Sequence, residues 1–218
     1  QTEIMELIEE EDVEFIRLQF TDILGLLKNV AVTPAQMEKV LLNKYSFEGT
    51  AAFGSKYCFD DTLYLYPDIE TFTILPWRPQ QGKVAKVVCD VYYQDGTPFT
   101  LDSRYVLRQV LNKAKEKGYT FMVDPECEFF LFHTDENGLP TTNTHEKAGY
   151  MDVGPVDFGE NARRDIVMML EDMGFEIESS HHESAPAQHE IDFKEAEAGE
   201  MADRIQTFRF AVRSIAKR

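Results

Sequence analysis

The chain has 218 residues, with 39 acidic and 22 basic side chains and a formal net charge of −17. This length allows one large domain or two small ones, and a hydrophobic fraction of 43% is typical of a globular protein with a buried core. The acidic surplus argues against nonspecific binding to a nucleic-acid backbone. No apolar run approaches the ~20 residues of a membrane-spanning helix, and the first residues lack the features of a signal peptide.

The three cysteines, Cys58, Cys89 and Cys127, are odd in number and far apart in the sequence. They form none of the short Cys and His spacings of zinc sites, and their odd number does not suit a disulfide framework. We therefore expect reduced thiols that pack as small hydrophobic side chains, which favours a cytoplasmic location.

The first hundred residues predict a small mixed sheet with one helix. Alternation places Ile16, Leu18 and Phe20 on one face of a strand at 13–20, and a partner strand is expected at 26–32. Further strands are predicted at 63–66, 72–75 and 84–93, separated by turn residues such as those at 67–68.

The helix of this region is predicted to begin at Thr33, the expected N-cap. Pro34 suits the first helical position, and Gln36 is placed to reach back toward the cap. The inward side of the helix is expected to carry Met37, Val40 and Leu41.

A turn-rich stretch at 95–101 is interpreted as a domain boundary, giving domains at 1–101 and 102–218. Beyond it, apolar residues at helical spacing predict amphipathic helices at 103–117, 159–173 and about 200–217. Strands are expected between these helices at 120–133, 175–182 and 188–193. The sequence therefore predicts an α+β domain, and because it stops in or just after an apolar-faced helix, we interpret it as a truncated protein.

Glu126 and Glu128 lie in a strand that is apolar on both sides. Because strand side chains alternate, both carboxylates point to one face, ~7 Å apart. A doubly apolar strand is usually central, which would bury both acids and require a proton or a cation beside them. The alternative is an edge position, with both carboxylates solvated or paired to arginine.

A second acidic set surrounds a predicted turn at Pro186. Glu183 and Glu190 flank that turn and are expected to converge at one end of the sheet. Together with Glu126 and Glu128 they predict an oxygen-rich site suited to Mg²⁺ or Mn²⁺. Three histidines of the same region are expected to have structural or surface roles: His181, His182 and His189. No P-loop or Rossmann glycine motif is present.

At these residues the sequence resembles type I glutamine synthetases of the Gram-positive kind. The resemblance runs from about residue 13 to residue 218 and includes the motifs FIRLQFTDILG, DPECEFFLF, FGENARRDIV, GFEIESSHHE and QHEIDF. It implies an N-terminal β-grasp domain followed by the first part of the catalytic domain, an antiparallel sheet with helices.

The resemblance also implies a function. Members make glutamine from glutamate, ammonia and ATP through γ-glutamyl phosphate, as cytoplasmic homo-oligomers that are dodecamers in full-length relatives, with Mg²⁺ or Mn²⁺. By motif position Glu126 matches a ligand of the metal nearer ATP, and Glu178 matches a nucleotide-contacting residue. The metal nearer glutamate is matched by Glu128, Glu183 and Glu190.

Two departures from the family pattern remain. The family's Asp-Gly-Ser-Ser, whose Asp binds ammonium and aids its deprotonation, is replaced by Glu48-Gly49-Thr50-Ala51. Near Tyr57 an aromatic residue stands where relatives carry a basic residue that tunes glutamine inhibition. The altered loop leaves open a γ-glutamyl-amine ligase that uses a larger amine. A non-catalytic regulatory member is a separate alternative, against which the four filled acidic positions speak. Since family members continue beyond this length, the isolated chain is expected to be inactive.

Overall fold

The structure, a computed structural model, describes residues 2–58, 62–78, 81–144 and 146–217. Its contacts divide the chain into two compact units, Gln1–Phe121 and Met122–Arg218. The domain boundary at 101/102 stays a prediction, because the first compact unit continues past it. No helix in the described ranges combines the length and apolar character that crossing a bilayer requires.

The first unit is built on a mixed sheet with strand order β2-β1-β5-β4-β3. Strands β1 and β5 run parallel at its centre, and the other neighbours pair antiparallel. The predicted inward residues Ile16, Leu18 and Phe20 of β1 are buried, as expected for a strand with one face on the core. In chain order the elements are α1 (Thr2–Glu10), β1 (Val13–Thr21), β2 (Leu27–Val32), a 3₁₀ turn (Pro34–Gln36), α2 (Met37–Leu41), β3 (Tyr45–Glu48), α3 (Gly49–Phe53), β4 (Thr62–Ile74), β5 (Lys83–Tyr92) and α4 (Ser103–Glu116).

Several local predictions for this unit were wrong. Helices α1 and α3 were not predicted, and Thr33 makes no side-chain capping hydrogen bond. The predicted turn at 67–68 is part of a continuous β4, in which Pro67 pairs with Cys89. Since β3 pairs with β4 only as far as Leu65, the proline lies where its missing N–H costs no bond to β3.

Hydrogen bonds and ion pairs of two aspartates, Asp102 and Asp90, link α4 to the sheet of the first unit. Asp102 caps the helix by accepting from the backbone N–H of Arg104 at 3.2 Å, and it also accepts from Val91 N–H at 3.2 Å. The carboxylate of Asp90 in β5 forms ion pairs with Arg104 Nη1 at 2.8 Å and with Arg108 Nη2 at 2.7 Å. Burial raises the pKa of Asp102 to about 6, against the effect of its backbone hydrogen bonds.

The second unit contains an antiparallel sheet with strand order β7-β9-β8. Helix α5 packs on β8 and on α6, and Ile166, Leu170 and Phe193 are fully buried between these elements. Its elements are β6 (Met122–Val123), β7 (Glu126–Phe130), α5 (Glu160–Asp172), β8 (Ile177–His182), β9 (Gln188–Phe193), β10 (Ala196–Glu197) and α6 (Ala198–Ile215).

The three amphipathic helices are confirmed to within two residues at each end, but their exposure differs. Leu170 in α5 and Phe208 in α6 are buried, whereas Val110, one of the apolar residues at helical spacing in α4, is 59% exposed. The single strand expected at 120–133 is two short strands, β6 and β7, separated by Pro125, which lacks an N–H for a continuous ladder.

The central position predicted for the strand of Glu126 and Glu128 was also wrong. In the sheet of the second unit β9 is central and β7 is an edge. Both glutamates are consequently exposed, which corresponds to the edge alternative raised by the sequence.

Candidate functional site

The pairing of three strands gathers carboxylates on one face of the second unit's sheet. Glu128 of β7 lies directly opposite Glu190 of β9, and Glu126 lies opposite Asp192. On the other side of β9, His181 of β8 pairs with Glu190. Directly paired residues of antiparallel strands project to the same side. These five residues therefore define the carboxylate face.

Glu183 joins this group from the turn between β8 and β9. The predicted turn at Pro186 is confirmed: Glu183 N–H donates to the Gln188 carbonyl at 2.7 Å, which closes the hairpin. The His181 ring lies between two carboxylates, with Nδ1 3.5 Å from Glu183 Oε1 and Nε2 3.7 Å from Glu190 Oε2. One ligand atom from each of His181, Glu183 and Glu190 lies within 4.8 Å of the others.

The electrostatics of the carboxylate face show an excess of negative charge. Glu190 is 8% exposed. Burial, followed by the charge of Asp192, raises the pKa of Glu190 to about 7. The pKa of Glu183 is instead lowered, chiefly because its carboxylate accepts from the backbone N–H of Ser184. A cation beside these groups would let all of them ionise together.

The donor set fits a hard divalent ion. Carboxylate oxygens from Glu128, Glu183 and Glu190 are the ligand type that Mg²⁺ and Mn²⁺ prefer. Glu128 is already oriented, since its Oε2 accepts from Gln188 Nε2 at 2.6 Å. In addition, Asp192 Oδ1 on this face is buried and has no hydrogen-bond partner within the described part of the chain.

The other predicted site residues are outside the His181, Glu183 and Glu190 group. Glu126 lies on the carboxylate face and is exposed on β7, and Glu178 is exposed in β8 at the register shift between Ile177 and Ser179. Glu48 belongs to the first unit, where it ends β3 and precedes α3 with an exposed side chain that does not cap the helix. The roles predicted for all these residues stay predictions.

The opposite face of the hairpin is supported by a buried charged network. Arg163 donates through Nη2 to Asp157 Oδ2 at 2.9 Å, and its Nη1 lies 2.9 Å from His189 Nδ1. His189 fits against Gly159, where a Cβ would overlap the imidazole ring. Both His182 and His189 are buried, in agreement with the structural role expected for them.

Asp157, His182 and His189 also approach one another closely enough to resemble a metal site. Arg163 already supplies the cation there, by binding both Asp157 and His189. Burial, and then the charge of Arg163, lowers the pKa of His189 to about 4, so its ring is neutral and accepts at Nδ1. This cluster is therefore a structural ion-pair network.

Sequence reasoning missed several of these residues. Asp192 follows Glu190 by two residues, so the alternation that relates Glu126 to Glu128 would have placed it on the same face. Arg163 occurs in an ordinary amphipathic helix pattern, which carries no local signal of its buried contacts with Asp157 and His189.

Comparisons with known proteins identify the family. The glutamine synthetase beta-Grasp domain model matches residues 12–94, and the glutamine synthetase catalytic domain model matches residues 100–218. A glutamine synthetase of Clostridium saccharobutylicum is 57% identical over 216 residues, covering 99% of this chain and 49% of that protein. A glutamine synthetase of Staphylococcus aureus (strain MW2) is 52% identical over 217 residues, with the same coverage. The chain thus spans about half the length of these relatives.

Solved structures agree in fold. A GmaS structure in complex with ADP superposes with a TM-score of 0.87 at 28% identity, covering 99% of this chain and 49% of that one. The glutamine synthetase of Plasmodium falciparum gives a TM-score of 0.82 at 20% identity, covering 99% and 48%, which supports the fold alone. The predicted α+β architecture with an N-terminal β-grasp domain is confirmed, and the chain belongs to the glutamine synthetase family.

Proposed function

We propose that the protein to which this chain belongs ligates ammonia to the γ-carboxylate of glutamate, using ATP and forming γ-glutamyl phosphate. The observation that supports this most directly is the convergence of Glu183 and Glu190 with Glu128 on one face of the sheet. Curated relatives at 52–57% identity carry the name glutamine synthetase. We also propose that it works in the cytoplasm as a homo-oligomer.

In this proposal Glu128, Glu183 and Glu190 hold the Mg²⁺ or Mn²⁺ ion nearer glutamate. Glu126 contributes to the ion nearer ATP, and Glu178 contacts the nucleotide. Bound divalent ions would supply charge neutralisation on phosphate and carboxylate oxygens during phosphoryl transfer. The chain's own contribution is to orient the carboxylates: Ser184 fixes Glu183 through two hydrogen bonds at 2.9 and 3.2 Å.

A chimaera tests the ligase activity. Residues 1–218 are joined to the remaining half of the Clostridium saccharobutylicum relative, and ATP-, glutamate- and ammonia-dependent phosphate release is measured. We expect activity in the chimaera, none in the 218-residue chain alone, and a loss of at least 100-fold in the E128Q chimaera. A chimaera that assembles, binds Mn²⁺ and yet has no activity with any amine would support a non-catalytic family member instead.

A larger amine is the second candidate substrate, and the exposed, longer side chain at Glu48 favours it. Its carboxylate is exposed and does not cap α3. Compared with the family's aspartate it extends one methylene further, which changes the space available to an ammonium-type substrate. The same chimaera is assayed with ammonia, methylamine, ethanolamine and a polyamine. Preference for ammonia, with E48D giving similar values, would reject this alternative.

A further inference from the structure

Glu146 is a buried carboxylate to which the proposed chemistry assigns no role. Its side chain is 3% exposed, and its Oε1 is 2.9 Å from His182 Nε2. The same oxygen also accepts the backbone N–H of Ala187. His182 ends β8 and Ala187 directly precedes β9, so a single carboxylate oxygen binds both sides of the turn that carries Glu183.

His182 extends this contact to the main chain of Glu183. Its Nδ1 donates to the Glu183 carbonyl oxygen at 2.6 Å, while its Nε2 faces Glu146. The His182 ring also contacts the His189 ring edge-on, with centroids 5.0 Å apart. The main chain at Glu183 is thus fixed from the buried side of the hairpin, while the Glu183 and Glu190 carboxylates lie near His181 on the carboxylate face.

The placement of Glu146 is costly for stability. Its second oxygen, Oε2, is buried and has no hydrogen-bond partner among the residues that the structure describes. A buried acceptor without a partner typically costs ~1–3 kcal/mol. Proteins often retain a destabilising buried group of this kind where function requires it, and this one lies next to a group of candidate metal ligands.

We propose that Glu146 is a positioning residue for the carboxylate site: its hydrogen bonds with His182 and with the Ala187 N–H keep Glu183 and Glu190 at the spacing needed for a divalent ion. The inference rests on the proposed function, because the ion it serves is the one assigned to Glu128, Glu183 and Glu190. Partners that orient metal ligands in this way typically change metal affinity by ~10–100-fold when they are removed.

The test is the Mn²⁺ affinity of the chimaera described above, measured by isothermal titration calorimetry, with the unsubstituted chimaera as the parent. We expect E146A to weaken binding ~10–100-fold. E146D keeps the charge but shortens the arm, and is expected to weaken binding at least fivefold. E146Q retains an oxygen acceptor at the same reach and should stay within threefold of the parent. Rescue by glutamine separates acceptor geometry from charge.

Two controls separate positioning from loss of stability. E171Q removes an exposed carboxylate from α5 and should leave Mn²⁺ affinity unchanged. I166V removes one buried methyl group from the same unit, at a typical cost of ~0.5–1.5 kcal/mol, and should also leave affinity unchanged. Folded fractions are measured by circular dichroism for every variant. If E146A does not fold, E146D and E146Q decide the question.

Parent-like affinity in E146A or E146D overturns the positioning role, and so does an E146Q variant as weak as E146A. An affinity loss in I166V equal to that in E146A overturns it as well, because general destabilisation would then be sufficient. Absence of Mn²⁺ binding in the parent would instead reject the metal site on which the proposed function depends. The two failures are therefore distinguishable.

Discussion

Glu128 and Glu190 occupy directly paired positions on adjacent antiparallel strands, and Asp192 extends the same acidic row on β9. Directly opposed like charges destabilise a pair of strands. Here the repulsion is concentrated on Glu190, which is buried and whose pKa is raised to about 7 by burial and by Asp192. The stability of the metal-free fold therefore favours a neutral side chain at position 190, whereas the proposed ion site requires a carboxylate there.

The first prediction concerns E190Q. Neutralising this side chain removes repulsion from the metal-free protein, so its Tm should rise by about 2–4 °C, which corresponds to ~1 kcal/mol. Saturating Mn²⁺ should raise the Tm of the parent and leave that of E190Q unchanged, because only the parent binds the ion. Thermal unfolding with and without Mn²⁺ gives both values. E171Q is the matched control, and a lower metal-free Tm in E190Q would contradict the repulsion argument.

The second prediction is a pH dependence that originates at Asp102. Its pKa of about 6 in the fold lies above that of an exposed aspartate, so the folded state binds more protons than the unfolded state between about pH 4 and 6. Its contribution to stability is therefore largest at low pH and falls as pH rises through that window, by ~3 kcal/mol in total. Urea unfolding of the parent and of D102N from pH 4.5 to 7.5 measures this pH-dependent contribution to the free energy of unfolding.

In that comparison the free energy of unfolding of the parent, minus that of D102N, should decrease with rising pH. Other carboxylates titrate in both proteins and cancel in the difference. A difference that stays constant, or increases with pH, would show that Asp102 does not carry an elevated pKa.

The third prediction concerns Gly159. A Cβ at this position would overlap the ring of His189, and that ring is held by Arg163 at 2.9 Å. G159A should therefore destabilise the protein by ~1–3 kcal/mol, the usual cost of overpacking a core. Urea unfolding tests this. Gly149, whose nearest neighbour to an added Cβ is 3.8 Å away, supplies the control G149A, and equal effects in the two variants would contradict the steric argument.

The fourth prediction concerns the three cysteine thiols, of which Cys58 and Cys89 are buried and Cys127 is partly buried. Burial, reinforced by the charges of Asp192 and Glu190, raises the pKa of Cys127 to about 11, and burial likewise raises the pKa of Cys89. Because thiolates are the reactive species, the native protein at pH 8 should react slowly with a thiol reagent such as DTNB. In guanidinium chloride all three should react within minutes. Rapid stoichiometric labelling of the native protein would contradict these assignments.

How far the sequence predicts this structure depends on where the interactions lie. The β9 strand was predicted with its observed bounds, because Gln188–Phe193 is set by local alternation and by the turn at Pro186. The edge position of β7 was predicted only as an alternative, because an apolar pattern on both faces does not reveal how many strands will pair with it. The continuous β4 was missed for a related reason: Pro67 breaks a ladder only where it must donate an N–H.

The same distinction applies to the candidate site. Glu128, Glu183 and Glu190 were found from residue type and spacing, and the structure brings them to one face. The proposed positioning role of Glu146 and the Arg163 network both depend on contacts between segments distant in sequence. No local pattern encodes such contacts.

The position of β7 at the edge has a consequence for folding fidelity. A shift of this strand by one residue along β9 would still form a hydrogen-bonded ladder, but it would turn Glu126 and Glu128 away and bring Cys127 and Phe129 to the front. Such a misregistered molecule would keep its backbone ladder but would lose the carboxylate arrangement of the proposed ion site. On that proposal, Mn²⁺ affinity would report whether this peripheral strand is correctly aligned.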